Sequence, residues 1–242
     1  AVVAERFSDG RVFLAGDAAH MTPPFAGQGL NAGIRDVRNL SWKLSRVVAG
    51  SLPMSLLSTY DLERREAARA MVELAVALGD QIQPTDPAIA AGRDAMFAEL
   101  NKDPAAATAF GADAIAPLSD VRLPAGWFIH DGFGGRMLPQ PRVRDGAREV
   151  LLDEVLGTGF CALVRTGTGL PPELAAHPLW RSLAPTLYAT TAEGAGALGE
   201  FIATDASGIT LVRPDRFVLA RLPADSTGCG ILDGLQAMLA RD

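Results

Sequence analysis

Gly16 and Asp17 close a short apolar stretch, Val12 to Ala15, and Pro23-Pro24, Gly27, Gly29, Leu30 and Asn31 follow closely. A carboxylate at the carboxyl end of a strand stands where open α/β sheets place ligand-binding groups, and it accepts hydrogen bonds from sugar-type hydroxyls. Pro23 and Pro24 stiffen the turn and remove two amide donors. Gly27 and Gly29 let backbone come close to a flat ligand with no Cβ in the way. A helix opening at Gly29 or Leu30 presents unpaired amides and the positive end of its dipole, a setting for an anion. Gly16, Asp17, Pro24, Gly27, Gly29, Leu30 and Asn31 therefore form the candidate binding set. His20 lies within the string and reads as a partner for nearby backbone. No catalytic acid, base or nucleophile is assigned.

The elements that position these residues follow from apolar spacing. Residues 11–16 read as a buried strand. Residues 29–49 read as a helix whose core stripe is Leu30, Ile34, Val37, Leu40, Leu44, Val47 and Val48, with Gly50 as C-cap. A second helix, Met54 to Leu78, carries Leu57, Tyr60, Arg64, Ala67, Met71, Leu74 and Leu78 on one face. Arg64 is the odd member: either its guanidinium pairs with Asp36 of the preceding helix, as a charge on an apolar face requires, or its stem snorkels at the helix edge. Glu63, Arg65 and Glu66 read as solvent-facing. A helix is expected from Ala88 to Leu100, then loops, a glycine-rich passage from Gly126 to Gly135, and a proline linker over Leu138–Arg142. Farther on, the pattern shortens. It predicts a helix at 150–156, strands at 160–165 and 187–190, a helix at 197–203, a hairpin of 209–213 with 217–221 about Pro214-Asp215, and a closing helix at 232–240.

Composition excludes several classes. The 242 residues have a net charge of −6, unlike a nucleic-acid surface rich in clustered Lys and Arg. No apolar run approaches the ~20 residues that cross a bilayer. Three His at no ligand spacing argue against a metal site. Cys161 and Cys229, far apart and outside any CxxC pair, suit a reducing, cytoplasmic setting. Gly194-Ala-Gly-Ala-Leu-Gly199 matches GxGxxG, but the helix after it is too short for a dinucleotide unit.

The string Arg11 to Asn31, with its Gly-Asp and Ala-Gly-Gln-Gly-Leu-Asn segments, resembles the second FAD-binding motif of single-component flavin aromatic hydroxylases. The likeness is to the 3-(3-hydroxyphenyl)propionate hydroxylase and polyketide hydroxylase branch. It implies FAD as cofactor, NAD(P)H as co-substrate, and hydroxylation of a small phenolic substrate through a flavin C4a-hydroperoxide. Asp17 would bind the ribityl chain, and the amides of Gly29, Leu30 and Asn31 would face the N1 and C2-carbonyl edge. The family carries this motif in its second half, whereas here it starts at residue 11, so the chain is expected to be the C-terminal part of a larger flavoprotein. That part would be inactive alone and would pair with the missing N-terminal part or with a second copy. The implied fold is α/β: residues 1–140 form the C-terminal part of the FAD-binding and substrate domain, and 141–242 a thioredoxin-like domain without a redox dithiol. A non-catalytic interaction module, or a flavin halogenase or reductase sharing the motif, are the alternatives.

Overall fold

The computed structural model describes residues 1–119, 121–145, 147–190, 198, 201 and 208–240. They form two compact units, one of residues 1–37 and 64–121 and one of 38–63 and 122–242. The boundary runs through two long helices, α1 (Gly29–Val48) and α2 (Thr59–Ile82).

The first unit begins with two short antiparallel ribbons. Strand β1 (Val2–Val3) pairs with β4 (His20–Met21), and β2 (Ser8–Asp9) with β3 (Val12–Phe13). The expected buried strand at 11–16 is thus only two residues long, and Val12 is 65% exposed. Among the described residues the β2–β3 ribbon has no third strand beside it, so Val12 is left facing out. Between β3 and α1 come 3-10 turns at Gly16–Ala18 and Pro24–Ala26.

Helix α1 occupies the expected span, and Gly50 after it has φ +69°. Its phase departs from the expected one, although Leu40, Leu44 and Val47 are half-buried as members of the expected stripe. Leu30, Ile34, Val37 and Val48 are exposed, while Ala32, Asp36, Asn39, Trp42 and Lys43 are buried. Polar partners described below account for that face. Helix α2 starts later than expected, after a 3-10 turn at Met54–Ser58. Tyr60, Ala68, Val72 and Ala75 are its buried apolar positions, and Glu63, expected in solvent, is fully buried.

Helix α3 (Pro87–Leu100) agrees with expectation, and the Asp86 carboxylate accepts from the amides of Ala88 and Ile89. Helix α4 (Pro104–Ser119) stands where loops were expected. Asp103 caps it at Ala105 and Ala106, and Pro104 takes the first helical position, where a missing N–H costs nothing.

In the second unit, residues of the expected proline linker lead into a hairpin, β5 (Arg142–Asp145) with β6 (Arg148–Leu151). Strand β6 replaces the first part of the helix expected at 150–156, leaving α5 as Leu152–Leu156. The expected strands and hairpin form one sheet. Its order is β10 (Val218–Pro223), β9 (Gly208–Val212), β7 (Cys161–Arg165), β8 (Thr186–Thr190). Strand β7 runs parallel to β8 and antiparallel to β9. The crossover from β7 to β8 contains α6 (Pro172–Ala176) and α7 (Pro178–Leu183), and α8 (Gly228–Leu239) closes the chain. The uninterrupted apolar run of β7 is buried on both faces, as a central strand requires. The helix expected at 197–203 and the Gly194–Gly199 string lie mostly outside the described residues; Leu198 and Phe201 are helical and buried.

Candidate functional site

The turn at Gly16 is built around one carboxylate. Gly16 has φ +58°, and its N–H donates to Asp36 Oδ2 at 3.1 Å. His20 Nε2 lies 2.7 Å from the same oxygen, and Arg64 Nε donates to Oδ1 at 2.8 Å. Of the two readings of Arg64, the pair with Asp36 is the one formed. Burial alone would raise the Asp36 carboxyl, but the His20 hydrogen bond and the Arg64 charge outweigh it and hold the group below the usual carboxylate range. An ionised Asp36 only accepts, which assigns the proton to His20 Nε2. His20 thus bonds a side chain rather than local backbone, and its ring stacks on buried Phe7 with centroids 6.0 Å apart.

The turn meets the helix closely, glycine against glycine. A Cβ on Gly33 would stand 3.2 Å from the Gly16 Cα. Asp17 follows in the 3-10 turn and is exposed. Pro24 opens the next turn, and Gly27, at φ +62°, closes it by donating its N–H to Pro24 O at 2.9 Å. Ala32 N–H donates to Gln28 O at 2.8 Å. Gly29, Leu30 and Asn31 precede it in the first turn, where an amide has no intrahelical acceptor. Asn31 Nδ2 also donates to Gln28 Oε1 at 3.2 Å, and Leu30 and Asn31 are exposed. Gly16, Asp17, Pro24, Gly27, Gly29, Leu30 and Asn31 therefore occupy one continuous turn–turn–helix passage.

A second polar cluster lies inside the other unit, and sequence reading missed it. Glu63 accepts from Arg213 Nη1 at 2.8 Å and Nη2 at 2.6 Å, from Lys43 Nζ at 2.8 Å, from Asn39 Nδ2 at 2.7 Å and from the Trp127 amide at 3.0 Å. Asp215 takes Arg213 Nε at 3.0 Å, Nη2 at 2.6 Å and Asn39 Nδ2 at 2.8 Å. Lys43 also donates to Thr59 Oγ1 at 2.8 Å. Arg213 lies over the Trp42 ring, 5.2 Å from its centroid. Two cations face two carboxylates, so the group is neutral and fully hydrogen-bonded at Glu63. Its charged members are enclosed, which makes it a structural knot and not a reaction site. The available signal was the spacing of Asp36, Asn39 and Lys43, one polar stripe on helix α1.

Gly126 shows how tightly the knot is packed. Its φ is +134°, and a Cβ there would fall 2.1 Å from Glu63 Cγ. Gly126→Ala is expected to destabilise the chain by about 1–3 kcal/mol. The check is the urea midpoint; an unchanged midpoint would mean the Glu63 side chain yields freely.

Among the described residues no His, Cys, Asp or Glu cluster could hold a metal, and no helix is long and apolar enough to cross a membrane.

Residues 1–75 match the family described as FAD binding domain, and residues 135–228 the HcaD C-terminal domain. A 3-(3-hydroxy-phenyl)propionate/3-hydroxycinnamic acid hydroxylase of Burkholderia cenocepacia (strain HI2424) is 34% identical over 99% of this chain and 48% of its own length. The enzyme of that name from Mycobacterium sp. (strain KMS) is 44% identical over 66% of this chain and 29% of its own. Among solved structures, OxyS anhydrotetracycline hydroxylase from Streptomyces rimosus matches with a TM-score of 0.70 at 31% identity, over 97% of this chain and 45% of that one. The chain spans about half the length, or less, of the curated relatives it matches.

Proposed function

We propose that this chain, which matches hydroxylases over nearly its whole length and an FAD binding domain over residues 1–75, is part of an FAD-dependent, NAD(P)H-consuming monooxygenase acting on a phenolic substrate. The observation that carries the reading is the exposed Asp17 on the Asp36-held turn, within the segment that matches an FAD-binding domain. The residues fit the cofactor. Gly16 and Gly27 take left-handed backbone that leaves the turns free of side chain, Asp17 offers acceptors to ribityl hydroxyls, and the first-turn amides of Gly29, Leu30 and Asn31 offer donors to an electron-rich flavin edge. Bound FAD would supply the oxygen activation. Asp17 would orient the cofactor, and the helix end would stabilise negative charge on it.

The exposed apolar residues Val12, Leu30, Ile34 and Val37 are the surface we assign to the complementary part of such an enzyme. The order β10-β9-β7-β8, with one helical crossover and one hairpin, supports a thioredoxin-like module over 141–242 beside a flavin-binding part over 1–140. Free Cys161 and Cys229 suit the cytoplasm.

The test is an FAD titration of the purified chain, read by flavin fluorescence and visible absorption beside its intact mass. The chain is expected to bind FAD weakly, and Asp17→Ala to weaken binding at least about tenfold, as loss of a charge-assisted hydrogen bond implies. The melting temperature should not change, since Asp17 is exposed. Equal affinity in the variant would overturn the assignment of Asp17. No binding by the wild-type chain would overturn a self-sufficient half-site.

A further inference from the structure

A cleft of about 520 Å³ in the second unit is lined by Arg38, Trp42, Asp153, Thr158, Pro214 and Arg216, among others. Its volume falls within the range of roughly 300–1,000 Å³ usual for small-molecule sites. Trp42 Nε1 and Arg216 Nη1 are both buried, and among the described residues neither has a hydrogen-bond partner. Burying an N–H without an acceptor is costly, and such groups are rare unless something completes them.

The carboxylates lining the cleft each hold a donor already. Asp153 Oδ1 takes Arg216 Nε, and Gly157 O takes Arg216 Nη2. Asp153 Oδ2 lies 3.7 Å from Arg38 Nη2, and Glu154 Oε1 accepts the Leu151 amide at 3.2 Å. Both guanidinium groups therefore face Asp153, Glu154 is held by a backbone amide, and the groups left without partners among the described residues are the two N–H donors. Arg216 is held there with φ +71°, a backbone conformation uncommon for a residue with a side chain. The Pro214–Arg216 turn fixes it, the Arg216 N–H donating to Arg213 O at 3.0 Å. Trp42 is fixed by packing, edge-on to Phe160 at 5.4 Å and stacked on Trp127 at 6.3 Å.

We propose that this cleft binds a small organic oxyanion, a carboxylate or a phosphate ester, through the Trp42 indole N–H and the Arg216 guanidinium. An oxyanion offers separate acceptor oxygens to both open donors, and a guanidinium prefers such partners. The site uses none of the residues assigned to the flavin and stands independently of that assignment.

The test is a ¹⁵N–¹H NMR titration of the three Trp indole signals at constant ionic strength. Sodium propionate is used in one arm and glycerol phosphate in the other. The Trp42 signal, assigned by its loss in Trp42→Phe, is expected to move saturably with one of the two. Trp127, whose indole already donates to Leu235 O at 3.0 Å, should stay in place. Arg216→Lys should abolish the movement, and Trp42→Phe, which keeps a ring in the stack, should weaken binding about tenfold by calorimetry. Should Arg216→Lys fail to fold, the Trp42→Phe calorimetry decides alone. A Trp42 signal that moves with neither compound, or only in proportion with the other two indoles, would overturn the proposal. Undiminished binding by Trp42→Phe would overturn it too. The responding arm separates a carboxylate site from a phosphate-ester site.

Discussion

Replacing Glu63 with Gln is expected to lower the stability of the chain by about 3–5 kcal/mol, the usual cost of removing one member of a buried ion group. The glutamate accepts five hydrogen bonds, three of them from Lys43 and Arg213. A Gln amide accepts at one end only, so at least one cation is left facing an N–H₂ group without water to relieve it. The same substitution reports on pH. Burial would raise the Glu63 carboxyl, but Arg213 and Lys43 outweigh it and hold the group far below the usual range. A carboxyl depressed on folding contributes stability that is present above its unfolded value, about 4.3, and is lost as pH falls toward the folded one. Wild type should therefore lose stability steadily below about pH 4.3, with a shallower slope in Glu63→Gln. Lys43 acts with the opposite charge. Burial, set against the nearby Glu63 carboxylate, pushes it down to about 8 from 10.5. Between those values the unfolded chain holds a proton that the folded chain does not, so this group favours folding more as pH rises across that window. Urea unfolding from pH 3 to 10 measures both effects, and a Glu63→Gln variant as stable as wild type at pH 7 would remove the knot as a stability element.

Several elements with local determinants are legible in the sequence. The turn–turn–helix passage from Gly16 to Asn31, the span of α1, the β9–β10 hairpin about Pro214-Asp215 and the closing helix all depend on residues close in sequence. Helix α4 was missed because its run of Ala and small residues carries little amphipathic contrast, although Asp103-Pro104 is an ordinary helix start. The phase of α1 was misread for a deeper reason. Apolar spacing assumes that the buried face is the apolar one. Here the described part of the fold buries Asp36, Asn39 and Lys43 against charged partners and leaves Leu30, Ile34 and Val37 exposed. The main partner of Glu63 is Arg213, 150 residues later, and no local pattern announces a bond of that separation. The Arg64–Asp36 pair was foreseeable because both members lie on neighbouring helices and Arg64 breaks an otherwise apolar face.

That pair leads to the second large expected effect. Asp36→Asn should destabilise the chain by about 3–5 kcal/mol, because it leaves the Arg64 guanidinium buried beside a neutral amide. It also removes an anionic acceptor shared by the Gly16 amide and His20 Nε2. Arg64→Met should cost a similar amount for the complementary reason, a buried carboxylate stripped of its cation. The two changes are in contact, so their effects should not add. The double variant is expected to lose less than the sum of the singles by roughly 1–3 kcal/mol. Denaturant unfolding of the four proteins measures this coupling, and strict additivity would mean that Asp36 and Arg64 are stabilised separately. The coupling should also reach the proposed cofactor site. Gly16 carries Asp17, so loosening its amide should weaken FAD binding in Asp36→Asn beyond the loss in Arg64→Met, which leaves the Gly16–Asp36 bond in place. Equal FAD affinity in the two variants, measured at a temperature where both are folded, would separate the carboxylate's part in stability from any part in placing the turn.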